Sequence, residues 1–205
     1  MRMLSIPWVD KTIAIVAVTP HVIELYYRYT SATLTFPRAV LSLHFFILII
    51  TMVIRRTPVS VTPNPWFWLL AFVVTYGGLT FTAFTPNGHP IVPIIVSNTV
   101  AVVSAIVFVY ARLSLGRSIG FVPANRGIVT RGAYKFVRHP IYTGGFLAML
   151  ALVLRSYSRV NLLLGATIIA LFMLKSVIEE YFLTDDPTYA AYLQRVRWRW
   201  FPGIA

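Results

Sequence analysis

The chain has 205 residues, of which 58% are hydrophobic and 12% are charged, a balance far from that of soluble domains. It contains 18 Lys and Arg against 6 Asp and Glu, which gives a formal net charge of +12. The absence of cysteine excludes disulfide bonds, thiolate metal sites and a cysteine nucleophile. We therefore predict an all-α integral membrane protein, a bundle of about five to six transmembrane helices that forms a single membrane domain over residues 1–205.

Long apolar runs, taken in chain order, place the predicted spans. About 20 apolar residues cross the hydrocarbon core, and helices are expected because unpaired backbone groups are costly in lipid. The predicted spans cover residues 12–27, 38–54, 66–84, 91–110, 141–154 and 161–178. The fifth is too short to cross comfortably alone, so we expect a tight hairpin with the sixth, which leaves five or six spans. Residues 1–110 hold the N-terminal helices, and residues 111–205 form the remaining part.

The distribution of cations predicts the orientation of this bundle. Four arginines, Arg28, Arg38, Arg155 and Arg159, lie on one side, and the other 14 Lys and Arg lie on the opposite side or in the last span. The positive-inside rule makes that opposite side cytoplasmic, with both termini there. Because the cations lie next to span ends and form no separate basic domain, we expect contacts with membrane lipids and no binding of nucleic acid.

The connector between the fourth and fifth spans, residues 112–142, is rich in glycine. Pro140 suits the first turn of a helix, which places Arg138 and His139 at a helix start whose free N–H groups favour a carboxylate or a phosphate. A simpler alternative, which we prefer for Lys135, is that the cations here mark topology. Four glycines permit positive φ and a close approach of a ligand to the backbone: Gly116, Gly120, Gly127 and Gly132.

A second polar feature lies at the end of the sixth span, in the sequence LKSVIEEYFL at residues 174–183. Lys175 and Glu179 are four residues apart and share a helix face, while Glu180 points about 100° away from Glu179. A carboxylate near membrane depth is costly unless it meets a cavity, a cation or a polar ligand, and it often marks a functional site. Salt bridges of the two glutamates, with Lys175 or with an arginine of residues 131–138, explain the pair equally well.

Together these two features predict one cofactor pocket at the cytosolic face, formed by the C-terminal half of the chain. Such a pocket suits a ligand that carries a carboxylate together with hydroxyl groups or a positive centre. S-adenosyl-L-methionine has this combination, since its carboxylate needs Arg, His or backbone N–H donors and its ribose and ammonium groups need carboxylates. A nucleotide phosphate fits less well because the chain has no GxxxxGK[ST] sequence.

Three sequences in this half carry a resemblance to known proteins. GIVTRGAYKFVRHPIYTG at residues 127–144, the EE pair, and YAAYLQRVRWRWFPG at residues 189–203 resemble the isoprenylcysteine carboxyl methyltransferase family and its phospholipid methyltransferase relatives. The resemblance covers about the last 95 residues. It implies an integral membrane enzyme that uses S-adenosyl-L-methionine at the cytosolic face and takes a lipophilic acceptor from the bilayer, in the plasma membrane of a prokaryote or the endoplasmic reticulum of a eukaryote.

The resemblance also implies roles for individual residues. Farnesylcysteine enzymes place an acceptor-binding arginine one helical turn before a cofactor glutamate, and Lys175 occupies that position here. Lysine lacks the planar fork that pairs with a carboxylate, so the acceptor remains open between a carboxylate, an amine and a thiol. The candidates for catalysis are Arg138, Lys175 and Glu180. The candidates for cofactor binding are Gly127, Ile128, Val129, Tyr134, His139, Tyr142, Glu179 and Glu180.

Methyl transfer from a sulfonium is an in-line displacement, so positioning and desolvation of the acceptor would supply most of the catalysis. Arg138, Arg131 or Lys175 would orient a carboxylate acceptor, whereas a glutamate or His139 would deprotonate an amine or a thiol. Two other functions remain open. One is a sterol-type membrane reductase that binds a reduced nicotinamide cofactor, although such enzymes usually have more spans. The other is a non-enzymatic membrane protein that keeps the pocket as structure.

The remaining polar residues give structural expectations. His44 and Asn98 are expected to make interhelical hydrogen bonds, and Glu24 to pair with Arg28. The aromatic segment 189–203, in which arginines alternate with apolar and aromatic residues at 195–200, is expected to form an interfacial belt with snorkelling arginines, with coverage of the pocket as the alternative. The oligomeric state is left open. No metal is expected because the histidines lack ligand spacing; they are His21, His44, His89 and His139.

Overall fold

The computed structural model describes residues 7–30, 36–84 and 88–204, and these are mostly helical. Two short strands, β1 (Ser60–Val61) and β2 (Ala124–Asn125), make an antiparallel ribbon, and 3₁₀ turns cover Gly116–Ser118 and Gly132–Lys135. The α-helices in the described ranges are α1 (Pro7–Thr30), α2 (Phe36–Val53), α3 (Pro65–Phe84), α4 (Ile94–Leu115), α5 (Pro140–Arg155), α6 (Arg159–Leu183) and α7 (Pro187–Arg195).

Each predicted span lies on one of the first six helices, and several helices extend beyond the apolar run that predicted them. Helix α1 already includes Asp10, and α6 continues through Glu179 and Glu180. These charged residues end an apolar run, yet they remain helical because each carboxylate is paired with a cation inside the protein.

Two helical segments, Ile94–Ser118 and Arg159–Leu183, are long and apolar enough to cross a membrane. Shorter apolar helical segments cover Pro65–Tyr76 and Pro140–Arg155. Large apolar side chains on α1 to α4 and on α6 face outward, a pattern typical of contact with lipid or with another apolar surface. The count of five to six spans stays a prediction.

Helix α5 lies between α4 and α6 and packs closely on both. A Cβ atom on Gly144 would lie 3.0 Å from the ring of Phe108 in α4, and one on Gly145 would lie 3.0 Å from the ring of Phe172 in α6. The Ser104 hydroxyl of α4 donates a hydrogen bond to the carbonyl of Gly144 at 2.8 Å. Residues 156–158 join α5 to α6, which gives the predicted hairpin.

A buried ion cluster connects the first two helices to the long connector between α4 and α5. The carboxylate of Asp10 accepts hydrogen bonds from Arg55 at 2.7 Å and from Arg126 at 2.8 Å, and all three side chains are at most 5% exposed. Arg126 also donates to the carbonyl of Arg56. Strand β1 pairs with β2 beside this cluster, so the position of the connector depends on α1 and α2.

Arg155, one of the four arginines predicted for the side opposite the connector, lies at the end of α5. Arg155 donates a hydrogen bond to the Asn98 carbonyl oxygen at 3.2 Å, which confirms the interhelical hydrogen bond expected for Asn98. The side chains of His44, Glu24 and Arg28 lie outside the described part of the chain.

Candidate active site

A cavity of about 580 Å³ lies between α4, α5 and α6. Lining residues on α4 run from Ser97 to Leu115, a rise of roughly 27 Å at 1.5 Å per residue. Much of the lining is apolar and includes side chains of α2 and α3, such as Leu48, Met52 and Val74. The end of the cavity where α5 begins and α6 ends is polar. Its lining includes all but one of the predicted site residues: Gly127, Ile128, Val129, Tyr134, Arg138, His139, Tyr142, Lys175 and Glu179.

Lys175 and Glu179 form the predicted ion pair on the wall of this cavity. The Lys175 ammonium donates to the Glu179 carboxylate at 2.7 Å and to the Tyr142 hydroxyl at 2.7 Å. The ammonium also lies 5.1 Å from the centre of the Tyr142 ring. Lys175 is buried, whereas Glu179 is 20% exposed at its side chain, so the glutamate presents the more accessible group of the pair.

Glu180 differs from Glu179 because it does not line the cavity. Its carboxylate accepts hydrogen bonds from Arg138 at 2.8 Å and from Arg199 at 3.1 Å, and lies 3.0 Å from His139 Nε2. The alternative salt bridge with an arginine of residues 131–138 is therefore present. The Glu180 side chain is only 7% exposed and is occupied by these three partners, and its catalytic and cofactor-binding roles stay predictions.

The start of α5 has the predicted residues, but two backbone N–H groups that were expected to be free for an anion are bonded within the protein. His139 is the N-cap and Pro140 occupies the first turn, as expected. The backbone N–H groups of Arg138 and His139 donate to the carbonyls of Trp198 and Arg199, each at 2.8 Å. These two amides are therefore not free for an anion, and the imidazole of His139, stacked on Tyr142 at 5.3 Å, is the group that faces the cavity.

Residues 195–200 of the aromatic segment cover the site, and the expectation of an interfacial belt is wrong for Trp200. The Trp200 indole is buried, donates to the Ser176 hydroxyl at 3.1 Å and packs edge-on against Phe146. The carbonyl of Trp200 also accepts a hydrogen bond from Thr143. The backbone pairing with residues 138 and 139 turns Trp200 inward, while Arg199 reaches Glu180.

Helix α7 closes the polar end, which agrees with the alternative that the segment 189–203 covers the pocket. Tyr189 and Tyr192, three residues apart on one face, both line the cavity, and the Tyr192 hydroxyl donates to the Tyr134 carbonyl at 2.8 Å. Asp186 caps the helix by accepting from the Thr188 N–H at 2.8 Å, and Pro187 follows it. An Asp-Pro pair before such spaced tyrosines is a recognisable helix start.

Asp186 also ties α7 to the connector. Its carboxylate accepts a hydrogen bond from the Asn125 amide at 2.7 Å, and this bond, followed by the one from Thr188, holds the pKa of Asp186 below its usual value. Asn125 in turn accepts from the N–H of Gly127 at 2.9 Å. Through Asn125, Asp186 of α7 thus helps to fix the backbone that lines the cavity at residues 127–129.

Three of the four connector glycines have the positive φ that was predicted. Gly116, Gly127 and Gly132 have φ of 55°, 93° and 61°, whereas Gly120 does not have a positive φ. At Gly132 a Cβ atom would also lie 2.2 Å from the Ser114 hydroxyl oxygen. That hydroxyl accepts from the N–H of Ala133 at 3.0 Å, which fixes Tyr134 next to the cavity.

Two charged residues of opposite sign, Glu179 and Arg112, influence the pKa of Tyr134. Burial raises the pKa of Tyr134 well above its usual value, the Glu179 carboxylate raises it further, and the Arg112 guanidinium opposes both. Tyr134 therefore stays a neutral hydrogen-bonding group between a carboxylate and a cation. Arg112 and Arg126 also line the cavity, and the sequence analysis did not select either.

Comparison with known proteins gives one family match, and it covers the part of the chain that holds the predicted site residues. No curated protein matches the chain. Residues 91–188 match the phospholipid methyltransferase family, so the match begins earlier than the resemblance had indicated, includes α4 to α6, and ends before the segment 189–203. The matched segment contains the connector and every residue predicted for the site. Residues 91–188 are therefore similar to the phospholipid methyltransferase family, which is related to the isoprenylcysteine carboxyl methyltransferases.

Proposed function

We propose that this protein transfers a methyl group from S-adenosyl-L-methionine to a lipophilic acceptor held in the membrane. The observation that carries the proposal is a largely apolar cavity with a polar end, most of whose residues lie in the segment matched to a methyltransferase family. The polar end suits a zwitterionic, hydroxyl-bearing cofactor, and the apolar lining suits a hydrocarbon chain.

The residues of the polar end fit this cofactor. Glu179 is the one carboxylate among the described lining residues, and it suits the cofactor's ammonium or ribose hydroxyl groups. Tyr134, His139 and Tyr142 add hydroxyl, imidazole and ring surfaces on the same wall. The positive φ of Gly127 lets the backbone of residues 127–129 approach a ligand without a side chain between them. Glu180 would act through Arg138 and His139, which it holds in place.

The membrane setting is part of the proposal. We assign α1 to α6 to the bilayer and the polar end to the cytosolic face, where Arg55, Arg56, Arg117 and Arg126 are gathered. The family is membrane-associated, and the outward-facing apolar side chains support the assignment. An acceptor would enter from the bilayer with its chain along the apolar lining of the cavity and its reactive group toward Lys175 and Arg138.

S-adenosyl-L-methionine supplies an electrophilic methyl group, and its thioether leaving group needs no proton. The protein therefore contributes mainly alignment and exclusion of water, and good alignment is worth roughly 7 to 11 kcal/mol. Lys175 and Arg138 are the cations that would orient an anionic acceptor. Lys175 would reach it by exchanging its bond with Tyr142, since Glu179 holds the ammonium from the other side.

The first test is a calorimetric titration of the detergent-purified protein with S-adenosylhomocysteine. We expect micromolar binding, near 8 kcal/mol, with Glu179→Gln weakening it by about tenfold or more and His139→Ala also weakening it. Asp185→Asn, which changes the same type of charge at an exposed position, is the matched control. A folded wild-type protein that shows no binding would refute the proposal, and binding of NADPH in its place would favour the reductase.

A further inference from the structure

Arg112 is a cation in the cavity wall that has no acidic partner among the described residues. It lies on α4, lines the cavity, and its guanidinium carbon is 6.0 Å from the centre of the Phe108 ring, one turn earlier on the helix. No described side chain forms a salt bridge with it, and its buried Nε has no hydrogen-bond acceptor. The side chain is therefore in place but electrostatically uncompensated.

The positive charges of the other two arginines at the polar end are each balanced by a carboxylate. Arg126 binds the Asp10 carboxylate, and Arg138 binds the Glu180 carboxylate. The neighbours that interact electrostatically with Arg112 are the phenols of Tyr134 and Tyr142 and the imidazole of His21, and none of them is a carboxylate. The one carboxylate among the described lining residues, Glu179, is bound by Lys175.

An uncompensated guanidinium inside a protein is costly, and a ligand anion removes most of that cost. The planar fork of arginine binds both oxygens of a carboxylate or of a phosphate, which a lysine cannot do in the same way. Glu179 and Arg112 both line the cavity and both interact electrostatically with Tyr134, so a ligand in this part of the cavity can meet a carboxylate and a cation.

We propose that Arg112 binds an oxyanion group of a ligand in the polar end of the cavity. Two sources have this chemistry. One is the carboxylate of the amino-acid part of S-adenosyl-L-methionine, whose ammonium would then face Glu179. The other is a carboxylate or phosphate in the headgroup of the acceptor. The inference rests on the proposed function for the first source and is independent of it for the second.

Two titrations of the full chain in a non-ionic detergent separate these sources. The first uses S-adenosylhomocysteine, with 5′-methylthioadenosine, which lacks the amino-acid part, as its comparison ligand. The second uses dodecyl phosphate, with dodecanol as the uncharged comparison ligand. Each is run on the wild type, on Arg112→Gln and on Arg112→Lys. Lys135→Gln, which removes one positive charge at an exposed position outside the cavity lining, is the control.

If Arg112 binds the cofactor carboxylate, Arg112→Gln weakens S-adenosylhomocysteine roughly 10- to 100-fold and leaves 5′-methylthioadenosine unchanged. If it binds the acceptor headgroup, the same loss occurs for dodecyl phosphate and not for dodecanol. Arg112→Lys should restore part of the affinity in either case. Affinities in Arg112→Gln that match those of Lys135→Gln in both titrations would overturn the proposal while leaving the proposed function intact.

The melting temperature without ligand separates binding from a structural role. Because Arg112 has no counter-charge in the described structure, Arg112→Gln should melt no lower than Lys135→Gln. A wild type that fails to bind S-adenosylhomocysteine ends the proposed function, and the dodecyl phosphate titration alone then decides the role of Arg112. Failure of the wild type with both anions would end both proposals.

Discussion

Two buried carboxylates hold arginines on different sides of the cavity, and neither of them lines it. Asp10 on α1 binds Arg55 and Arg126, whereas Glu180 on α6 binds Arg138, His139 and Arg199. In both clusters the acid fixes a cation that does line the cavity. Two of the cations that line the cavity, Arg126 and Arg138, are therefore held by acids that lie outside its lining.

The two clusters differ in burial and in what they connect. The Asp10 cluster is almost completely buried and joins helices outside the family match to the connector inside it. The Glu180 cluster includes Arg199, whose side chain is 32% exposed, and joins α6 to the segment that covers the site. Solvent can compensate part of the second cluster but little of the first, which makes their mutational effects unequal.

The largest effect is expected at Asp10. Asp10→Asn keeps the shape of the side chain but leaves two buried arginines without their counter-charge, which should destabilise the fold by about 3 to 5 kcal/mol. The melting temperature in detergent would measure this, with the exposed Asp185→Asn as control. Equal melting temperatures for the two variants would show that the Asp10 cluster is not a structural connection.

Glu180→Gln should have the second largest effect and should separate the paired glutamates. The loss of charged hydrogen bonds to Arg138 and Arg199 should cost roughly 1.5 to 3 kcal/mol, less than Asp10→Asn because Arg199 is partly solvated. Glu179→Gln should instead reduce S-adenosylhomocysteine affinity more than it reduces stability. Melting temperature and calorimetry on both variants test this, and the reverse order of effects would assign the ligand contact to Glu180.

The smallest effect is expected at Asp186, an N-cap carboxylate in a more accessible position than the other two. Its pKa is lowered in the folded state, so its contribution to stability is present above the unfolded pKa of about 3.9 and is lost as pH falls through the folded value. Asp186→Asn should cost about 1 kcal/mol or less at neutral pH, since asparagine also caps helices.

The measurement for Asp186 is the melting temperature as a function of pH. The wild type should lose stability relative to Asp186→Asn as the pH falls below about 4. Parallel pH profiles of the two proteins would mean that the Asn125 bond to Asp186 does not stabilise the folded state.

Local patterns in the sequence predicted the helices and part of the site. Apolar runs located the first six helices, the proline after His139 located the start of α5, and the spacing of four residues predicted the Lys175 pair with Glu179. These features depend on neighbours in the chain. Helix α7 was recognisable in the same way, from Asp186 and Pro187.

The residues that the sequence did not reveal depend on distant partners. Asp10 meets residues 45 and 116 positions away, and no local pattern indicates which arginines an early aspartate will bind. In the sequence, Arg112 resembles the other cations at the ends of predicted spans. Its place in the cavity lining depends on the packing of α4 on α5. Trp200 resembled a belt residue until the pairing of its neighbours with residues 138 and 139 turned it inward.

The adjacent glycines of α5 help to set the width of the cavity, because they let two lining rings pack closely on this helix. Phe108 and Phe172 rest directly on Gly144 and Gly145, and both rings also line the cavity. A side chain at either glycine would force neighbouring helices apart, so those positions tolerate little change. Shortening either phenylalanine would remove its packing on the glycine and would widen the cavity by the volume of the lost ring atoms, without changing the residues of the polar end.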